Sequence, residues 1–150
     1  SEERGRSLFF TEYNQFFPDL SGADCAHCHS GPNFENGEFM NNGLDKDSDL
    51  TDYGREKVSN LASDRAAFLM PSLRNVAHTA PYMHDGRFKT LEEVVEHYNS
   101  GVKISSTVSP LIVPTISKGL GLSAQDKTDL VNFLKTLSDQ KFLTNPEYAQ

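Results

Sequence analysis

The chain has 150 residues, a mean hydropathy of −0.52 and a formal net charge of −7. Its length suits one domain with a single hydrophobic core, and it contains no apolar run of the roughly 18 residues that a membrane span requires. The negative charge argues against nucleic acid and anionic membranes as partners, since both would repel it. We therefore expect a globular domain without membrane insertion.

The first half of the chain predicts one long helix and one long loop. Residues 2–17 have apolar side chains at helical spacings and are followed directly by Pro18, which predicts a first helix. Residues 30–60 are rich in Gly, Asn and Asp and predict a surface loop. Residues 63–68 predict a short helix that ends before Pro71.

The second half contains two helices with clear N-terminal signals. Thr90 is a predicted N-cap for a helix over residues 91–98, and Ser123 for a helix over residues 123–138. The segment between them, residues 100–114, is rich in Ser and Pro. Since no stretch alternates as a strand does, the predicted fold class is all-α with long loops.

The cysteines point to a cofactor. The chain has two of them, Cys25 and Cys28, in the motif C-A-H-C-H that ends at His29. Two thiols one helical turn apart can add to the two vinyl groups of haem, and the adjoining imidazole then ligates the iron. A zinc site would need further Cys or His at paired spacing, and a thioredoxin-like motif would need a βαβ context; neither is present. The motif therefore predicts one covalently bound haem c with His29 as the proximal ligand.

A small residue and an aromatic residue, Gly5 and Phe9, share one face of the first helix, while the last helix offers Phe133 and Leu134. A small residue lets two crossing helices approach closely, and an aromatic ring fills the neighbouring gap. The pattern resembles the crossed terminal helices of class I cytochromes c. Gly5 taken alone is equally compatible with an exposed position on a helix.

Two sequence blocks are more specific. P-S-L-R-N-V occupies residues 71–76 and A-P-Y-M-H-D-G residues 80–86, followed by T-L-E-E-V-V at residues 90–95. Together with the first and last helices, they resemble the C-terminal haem domain of bacterial di-haem cytochrome c peroxidases and MauG-like enzymes over nearly the whole chain. The resemblance implies a cytochrome c-like haem domain over residues 1–150, as the C-terminal part of a longer di-haem protein.

The resemblance also implies a function. In that family an N-terminal domain holds the haem at which peroxide reacts, and the C-terminal domain holds the haem at which electrons enter. This chain has a single C-x-x-C-H and no Trp, so the peroxidatic haem and the tryptophan often found between the haems are missing from it. The implied role is electron transfer from a small redox protein, a cytochrome c or cupredoxin, to the N-terminal haem domain. Two alternatives are a MauG-like oxidase domain acting on a partner protein and a free-standing monohaem electron carrier.

Covalent haem attachment in bacteria takes place outside the cytoplasmic membrane, so the expected location is the periplasm.

The resemblance implies further haem-site residues besides those of the attachment motif. Arg74 and His84 match family positions packed near the haem, where a cation or an imidazole can bond a propionate. The apolar neighbours Leu73 and Val76 favour burial of Arg74.

The sixth iron ligand has two candidates. Tyr98 lies fourteen residues beyond His84, where the peroxidases have a distal Met and the MauG-like enzymes a Tyr. Met83 is the alternative, because Met and His together form a common c-type electron-transfer site. We favour Tyr98 over Met83, although either side chain also suits plain core packing.

A calcium site is also implied. Thr79 and Pro81 match family positions whose backbone carbonyls hold a calcium ion between the two domains. A second pattern has acidic residues at EF-hand positions, but Leu50 occupies the position that requires Gly, so an acidic loop is the better interpretation. Those acidic residues are Asp45, Asp47, Asp49 and Glu56.

Overall fold

The computed structural model describes residues 1–148, which form helices joined by long irregular segments. The all-α prediction is confirmed, and the sheet described within this range has only two strands of two residues each. No helix within residues 1–148 is long and apolar enough to cross a membrane. The elements are α1 (Glu2–Phe10), β1 (Phe39–Met40), α2 (Glu56–Ser59), β2 (Phe68–Leu69), α3 (Leu91–Glu96), α4 (Val113–Ile116), α5 (Ala124–Thr136) and α6 (Gln140–Thr144).

The two terminal helices α1 and α5 cross in close contact, as the sequence predicts. A Cβ atom on Gly5 would lie 1.9 Å from the carbonyl oxygen of Asp129, so the crossing requires glycine at that position. Phe9 is only 1% exposed, and its ring centroid lies 5.2 Å from that of Phe133. The core continues from this crossing towards α3 through Ala23, Val76, Leu91, Val95, Leu130, Val131 and Leu134.

Both predicted N-caps are present. The Thr90 hydroxyl accepts from the Glu93 amide at 3.2 Å, and the Glu93 carboxylate accepts from the Thr90 amide at 2.9 Å. Ser123 and Asp126 form the same reciprocal pair at the start of α5. Each cap satisfies backbone N–H groups that a helix start leaves free, which contributes about 1 kcal/mol.

The prediction of a helix over residues 2–17 was wrong in its second half, since α1 ends at Phe10. The carbonyl groups of Leu8 and Thr11 accept from the amides of Ala23 and Asp24 at 2.8 and 3.0 Å. Carbonyls that would extend the helix are therefore used to hold the segment that enters the haem motif. The aromatic residues beyond α1, Phe16 and Phe17, are exposed instead of lying on a helix face.

Residues 30–60 are only partly a surface loop. β1 and α2 lie within the segment, and Asn41 and Leu44 are buried. The Asn41 amide donates to the hydroxyls of Ser105 and Thr107, both at 3.0 Å, and this holds the segment against the later Ser-rich stretch. A buried amide needs such partners, because leaving it unsatisfied costs about 1–3 kcal/mol.

The helix predicted over residues 63–68 does not form. A single 3₁₀ turn over Ala62–Asp64 is followed by Ala66 in the left-handed region, with φ of 56°, and then by β2. β2 pairs antiparallel with β1, Phe39 opposite Leu69 and Met40 opposite Phe68. Backbone pairing with distant segments has overridden the local helical preference here.

Candidate haem site

A cavity of about 510 Å³ lies between the helical core and the loops, within the size range of roughly 300–1,000 Å³ typical of ligand pockets. Cys25, His29, Met83, His84 and Tyr98 all line it, so the structure brings the predicted attachment residue and the predicted ligands together. A smaller adjoining cavity of about 90 Å³ shares Cys25, His29 and Tyr98 and adds Cys28. The remaining walls of the larger cavity are mainly apolar and include Phe9, Met40, Phe68, Met70, Leu91, Val95, Leu120 and Leu130.

The attachment cysteines lie on a 3₁₀ turn that starts at Cys25, directly after Asp24 in the left-handed region. The two cysteines are not bonded to each other. Burial raises the pKa of Cys25 to about 12 and also raises the pKa of Cys28. A redox-active disulfide motif requires a thiol of lowered pKa, so these half-buried thiols of raised pKa do not suit that alternative. No group of three or more His, Cys, Asp or Glu within residues 1–148 is arranged to hold a metal ion directly.

His29 is oriented as an iron ligand requires. Its Nδ1 lies 3.1 Å from the carbonyl oxygen of Phe34, and with the proton on Nδ1 this bond leaves the Nε2 lone pair available. Burial lowers the pKa of His29, against the opposing effect of nearby carbonyls, so the neutral imidazole that binds metals is favoured. The half-buried thiols, the oriented imidazole and the apolar cavity together fit a covalently attached haem.

Tyr98 is placed by a local departure from α-helical geometry. α3 runs directly into a π-helical turn over His97–Gly101, and such turns are frequent at functional sites. The turn is held from outside by Leu120, whose amide donates to the backbone carbonyl of Asn99 at 2.9 Å. Burial raises the pKa of Tyr98 to about 12, an effect that the nearby Asn42 side chain opposes. The structure thus places Tyr98 in the cavity, and ligation of iron by it stays a prediction.

Met83 and His84 lie side by side at the larger cavity. Met83 is in the left-handed region with φ of 70°, and its sulfur accepts from Nδ2 of Asn42 at 3.4 Å. His84 is exposed and stacks on Phe68, with ring centroids 3.7 Å apart and planes 10° apart. His84 therefore stands at the rim of the cavity, within the site that the sequence assigned to it.

The prediction that Arg74 is buried was wrong. Its side chain is exposed, does not line either cavity, and donates twice to the carbonyl oxygen of Pro32, at 2.9 and 3.1 Å. It also donates to the Asn33 side chain at 3.2 Å. Arg74 thus holds the loop after the haem motif, because free carbonyls there satisfy its N–H groups; its bond to a propionate stays a prediction.

The two residues of the predicted calcium site, Thr79 and Pro81, are exposed and line the larger cavity. Calcium binding by their carbonyls stays a prediction. The acidic residues of the EF-hand-like pattern are used elsewhere: Asp45 pairs with Arg87 at 2.7 Å, and Glu56 with Arg65 at 2.8 Å. Asp47 accepts from the backbone amide and the hydroxyl of Ser106 at 2.8 and 2.9 Å.

The residues absent from the sequence-based site include Met40, Asn42 and Met70, which line the larger cavity, and His97, whose Nε2 donates to the Asn42 carbonyl. The N-N-G pattern around Asn42 indicates a turn and conceals that its side chain faces the candidate ligands. His97, next to Tyr98, is the one with a local signal, since an imidazole beside a candidate ligand is a natural second partner. Met40 and Met70 have no local sequence signal of a site, because apolar residues in loops are common.

Comparison with known proteins agrees with this geometry. The family model described as cytochrome c matches residues 3–138, from α1 through α5. The chain belongs to the cytochrome c family. In this cytochrome c the crossed helices are α1 and α5, and the predicted haem attachment turn carries Cys25, Cys28 and His29.

Similar proteins indicate which subgroup of the cytochrome c family this chain resembles. Cytochrome-c peroxidase IdrP2 of Denitromonas iodatirespirans is 32% identical over 142 residues, covering 77% of this cytochrome c and 36% of the relative. Methylamine utilization protein MauG of Methylorubrum extorquens is 38% identical over 117 residues, covering 77% and 31%. A solved MauG-like protein associated with microbial copper homeostasis is similar with a TM-score of 0.82 and 34% identity, covering 98% and 49%. This cytochrome c domain is thus related to di-haem peroxidases and MauG, and spans less than half the length of each of these relatives.

Proposed function

We propose that this domain is the electron-transfer haem domain of a di-haem cytochrome c peroxidase. In this proposal it accepts electrons from a small cytochrome c or cupredoxin and passes them to a peroxide-reducing haem in an N-terminal domain. The observation that carries the proposal is that the cavity offers protein ligands from two separate segments, His29 from the attachment turn and Tyr98 or Met83 from the later elements. An iron ligated by protein on both sides has no open position for peroxide, which suits electron transfer.

In this proposal some of these residues attach the haem and others set its reduction potential. Cys25 and Cys28 would form the thioethers, and His29, held by Phe34, would be the proximal ligand. The haem supplies a one-electron Fe(III)/Fe(II) couple when bound. Tyr98 as the sixth ligand would favour ferric iron and give a lower potential than Met83, because an anionic oxygen stabilises the more highly charged metal.

A MauG-like role is the second candidate. Tyr98 favours it, since this chain has tyrosine where MauG-like enzymes have their distal tyrosine, and the similarity to MauG and to a MauG-like structure supports it. In that case the parent protein would oxidise a partner protein instead of reducing peroxide with electrons from a donor.

The cellular location and the electron donor are inferred from haem attachment and from the net charge. Covalent haem attachment implies a periplasmic location, and the net charge of −7 favours a donor with a basic contact surface. A calcium ion on the carbonyls of Thr79 and Pro81 belongs to the two-domain protein. Its presence predicts that a chelator lowers activity of that protein without releasing haem.

Haem attachment is tested on protein made with the attachment machinery. The pyridine haemochrome spectrum should be that of two thioethers, and Cys28→Ala should shift it to that of one. His29→Ala should abolish the low-spin spectrum. Haem that acidified acetone extracts from the wild-type protein would contradict covalent attachment.

Electron transfer is tested by comparing this chain with the parent protein. The isolated chain should be reduced by a donor cytochrome c yet turn over hydrogen peroxide far more slowly than the two-domain protein, because a second protein ligand would leave the iron no open position for peroxide. Comparable turnover by the chain alone would refute the proposal. Oxidation of a partner protein by the two-domain protein, without donor-dependent peroxide reduction, would favour the MauG-like role.

A further inference from the structure

His97 is a buried imidazole to which the proposed haem site assigns no part. It precedes Tyr98 at the start of the π-helical turn, is only 5% exposed and lines neither cavity. Burying a polar ring removes its hydrogen bonds to water, which costs free energy unless the protein supplies a partner. The contacts of the ring therefore indicate its role.

The His97 ring is fixed at its tip and on two sides. Its Nε2 donates to the Asn42 carbonyl oxygen at 3.0 Å. The Tyr98 ring packs against it edge to face, with centroids 5.0 Å apart and planes 69° apart, and the centroid of the Phe88 ring lies 5.8 Å away. A Cβ atom on Gly101 would lie 3.3 Å from Nδ1, so the last residue of the π-helical turn approaches the other nitrogen. One hydrogen bond and two aromatic contacts thus set the orientation of the imidazole.

The acceptor of this hydrogen bond is held in place by its own neighbours. The carbonyl of Gly43 accepts from the Lys103 amide at 2.7 Å, and the Gly43 amide donates to the Asn41 side chain at 2.9 Å. Because Lys103 follows shortly after the π-helical turn, the segment around Asn42 is bonded to the chain at the start of the turn and again beyond its end. The Asn42 carbonyl is therefore a fixed anchor for the His97 ring.

The π-helical turn needs such an anchor. This geometry is rare and mostly limited to single turns, so contacts from outside have to stabilise it against continuation of the α-helix. The hydrogen bond of His97 holds the first residue of the turn, and Tyr98 is the second. A shift of the turn would therefore redirect the phenol, whereas a binding group must stay within about 0.5 Å of its productive position.

We propose that His97 is a positioning residue that keeps the Tyr98 phenol directed into the haem cavity, through its hydrogen bond to the Asn42 carbonyl and its contact with the phenol ring. The inference rests on the proposed function, in which Tyr98 is the sixth iron ligand. Loss of one buried hydrogen bond should weaken ligation by Tyr98 about tenfold. A ligand from solution that competes for the same iron position should then bind about tenfold more tightly, since its apparent affinity depends on how often that position is free.

The test measures cyanide binding to the ferric holoprotein. His97→Phe keeps an aromatic ring and removes the donor, so the apparent affinity for cyanide should rise about tenfold, and the electron paramagnetic resonance signal of tyrosinate-ligated iron should weaken. His97→Gln is the matched control, because its amide nitrogen can donate from nearly the position of Nε2, and its cyanide affinity should stay close to that of the wild-type protein. His97→Leu should behave like His97→Phe and covers the case in which the phenylalanine variant does not fold.

A second control separates positioning of the phenol from loosening of the helix. Thr90→Ala removes the N-cap of α3, the helix that leads into the π-helical turn, without changing any contact of Tyr98. Its stability towards urea should fall while its cyanide affinity stays unchanged. An equal rise in cyanide affinity in Thr90→Ala and His97→Phe would show that helix stability holds the phenol, and the inference would be wrong.

Tyr98→Phe is the reference for complete loss of the ligand and should raise cyanide affinity at least as much as His97→Phe does. If Tyr98→Phe raises it while His97→Phe and His97→Leu keep the wild-type affinity, the inference about His97 is wrong and the ligand assignment stands. If Tyr98→Phe leaves both the affinity and the spectra unchanged, the ligand assignment made under the proposed function is wrong, and the inference about His97 falls with it.

Discussion

The contact of α1 with α5 at Gly5 predicts a large cost for adding a single methyl group. In Gly5→Ala the new Cβ would lie 1.9 Å from the Asp129 carbonyl oxygen and 2.9 Å from the Phe133 Cβ. The carbonyl oxygen belongs to the helix backbone and cannot rotate away. To reach an ordinary contact of 3.4 Å the two helices would have to separate by about 1.5 Å at the crossing.

The expected change in the free energy of unfolding of Gly5→Ala is the difference between two opposing effects. Overpacking a dense core costs about 1–3 kcal/mol, and a backbone clash of this depth falls at the upper end of that range. Alanine in place of glycine within a helix returns about 1 kcal/mol. We therefore expect the free energy of unfolding to fall by about 2 kcal/mol. For a domain of this size that corresponds to a melting temperature lower by roughly 4–8 °C.

The assay is urea unfolding of the holoprotein, followed by circular dichroism and by haem absorption. Ser7→Ala is the matched control, because Ser7 is an exposed interior position of the same helix and the change improves helix propensity without a clash. It should leave stability equal or slightly higher. If Gly5→Ala is as stable as the wild-type protein, the close crossing of the terminal helices is not the reason for glycine at this position.

Two further predictions concern charge and capping. Hydrogen bonds from Ser1, Gln125 and Arg4 lower the pKa of buried Asp129 from 3.8 to about 2, so its carboxylate stabilises the fold fully above pH 4 and progressively less as the pH falls towards 2. Urea unfolding should show Asp129→Asn less stable than wild type at pH 7, with a difference that shrinks below pH 4; a constant difference would contradict this. Thr90→Ala should lower the free energy of unfolding by about 1 kcal/mol and Thr90→Ser by much less, and equal losses would show that the hydroxyl is not the cap.

The parts of the molecule that depend on neighbours in sequence were predictable. The C-x-x-C-H motif needs only its own spacing, and the capping boxes at Thr90 and Ser123 need only residues three positions apart. The small residue of the helix crossing, Gly5, was recognisable once Phe133 was matched to it. The attachment motif and the capping boxes each depend on residues within about one helical turn. The Gly5 contact follows the general rule that crossing helices need a small residue where they approach closely.

What the tertiary structure decided is where backbone and polar groups find distant partners. α1 stops at Phe10 because the amides of Ala23 and Asp24 donate to carbonyls at and just beyond its end. The loop residue Asn41 is buried because hydroxyls more than sixty positions away satisfy it. Arg74 is exposed because the carbonyl of Pro32 lies within its reach. A sequence states which groups can donate and accept, whereas the pairing of groups that are far apart in sequence exists only once the chain has folded.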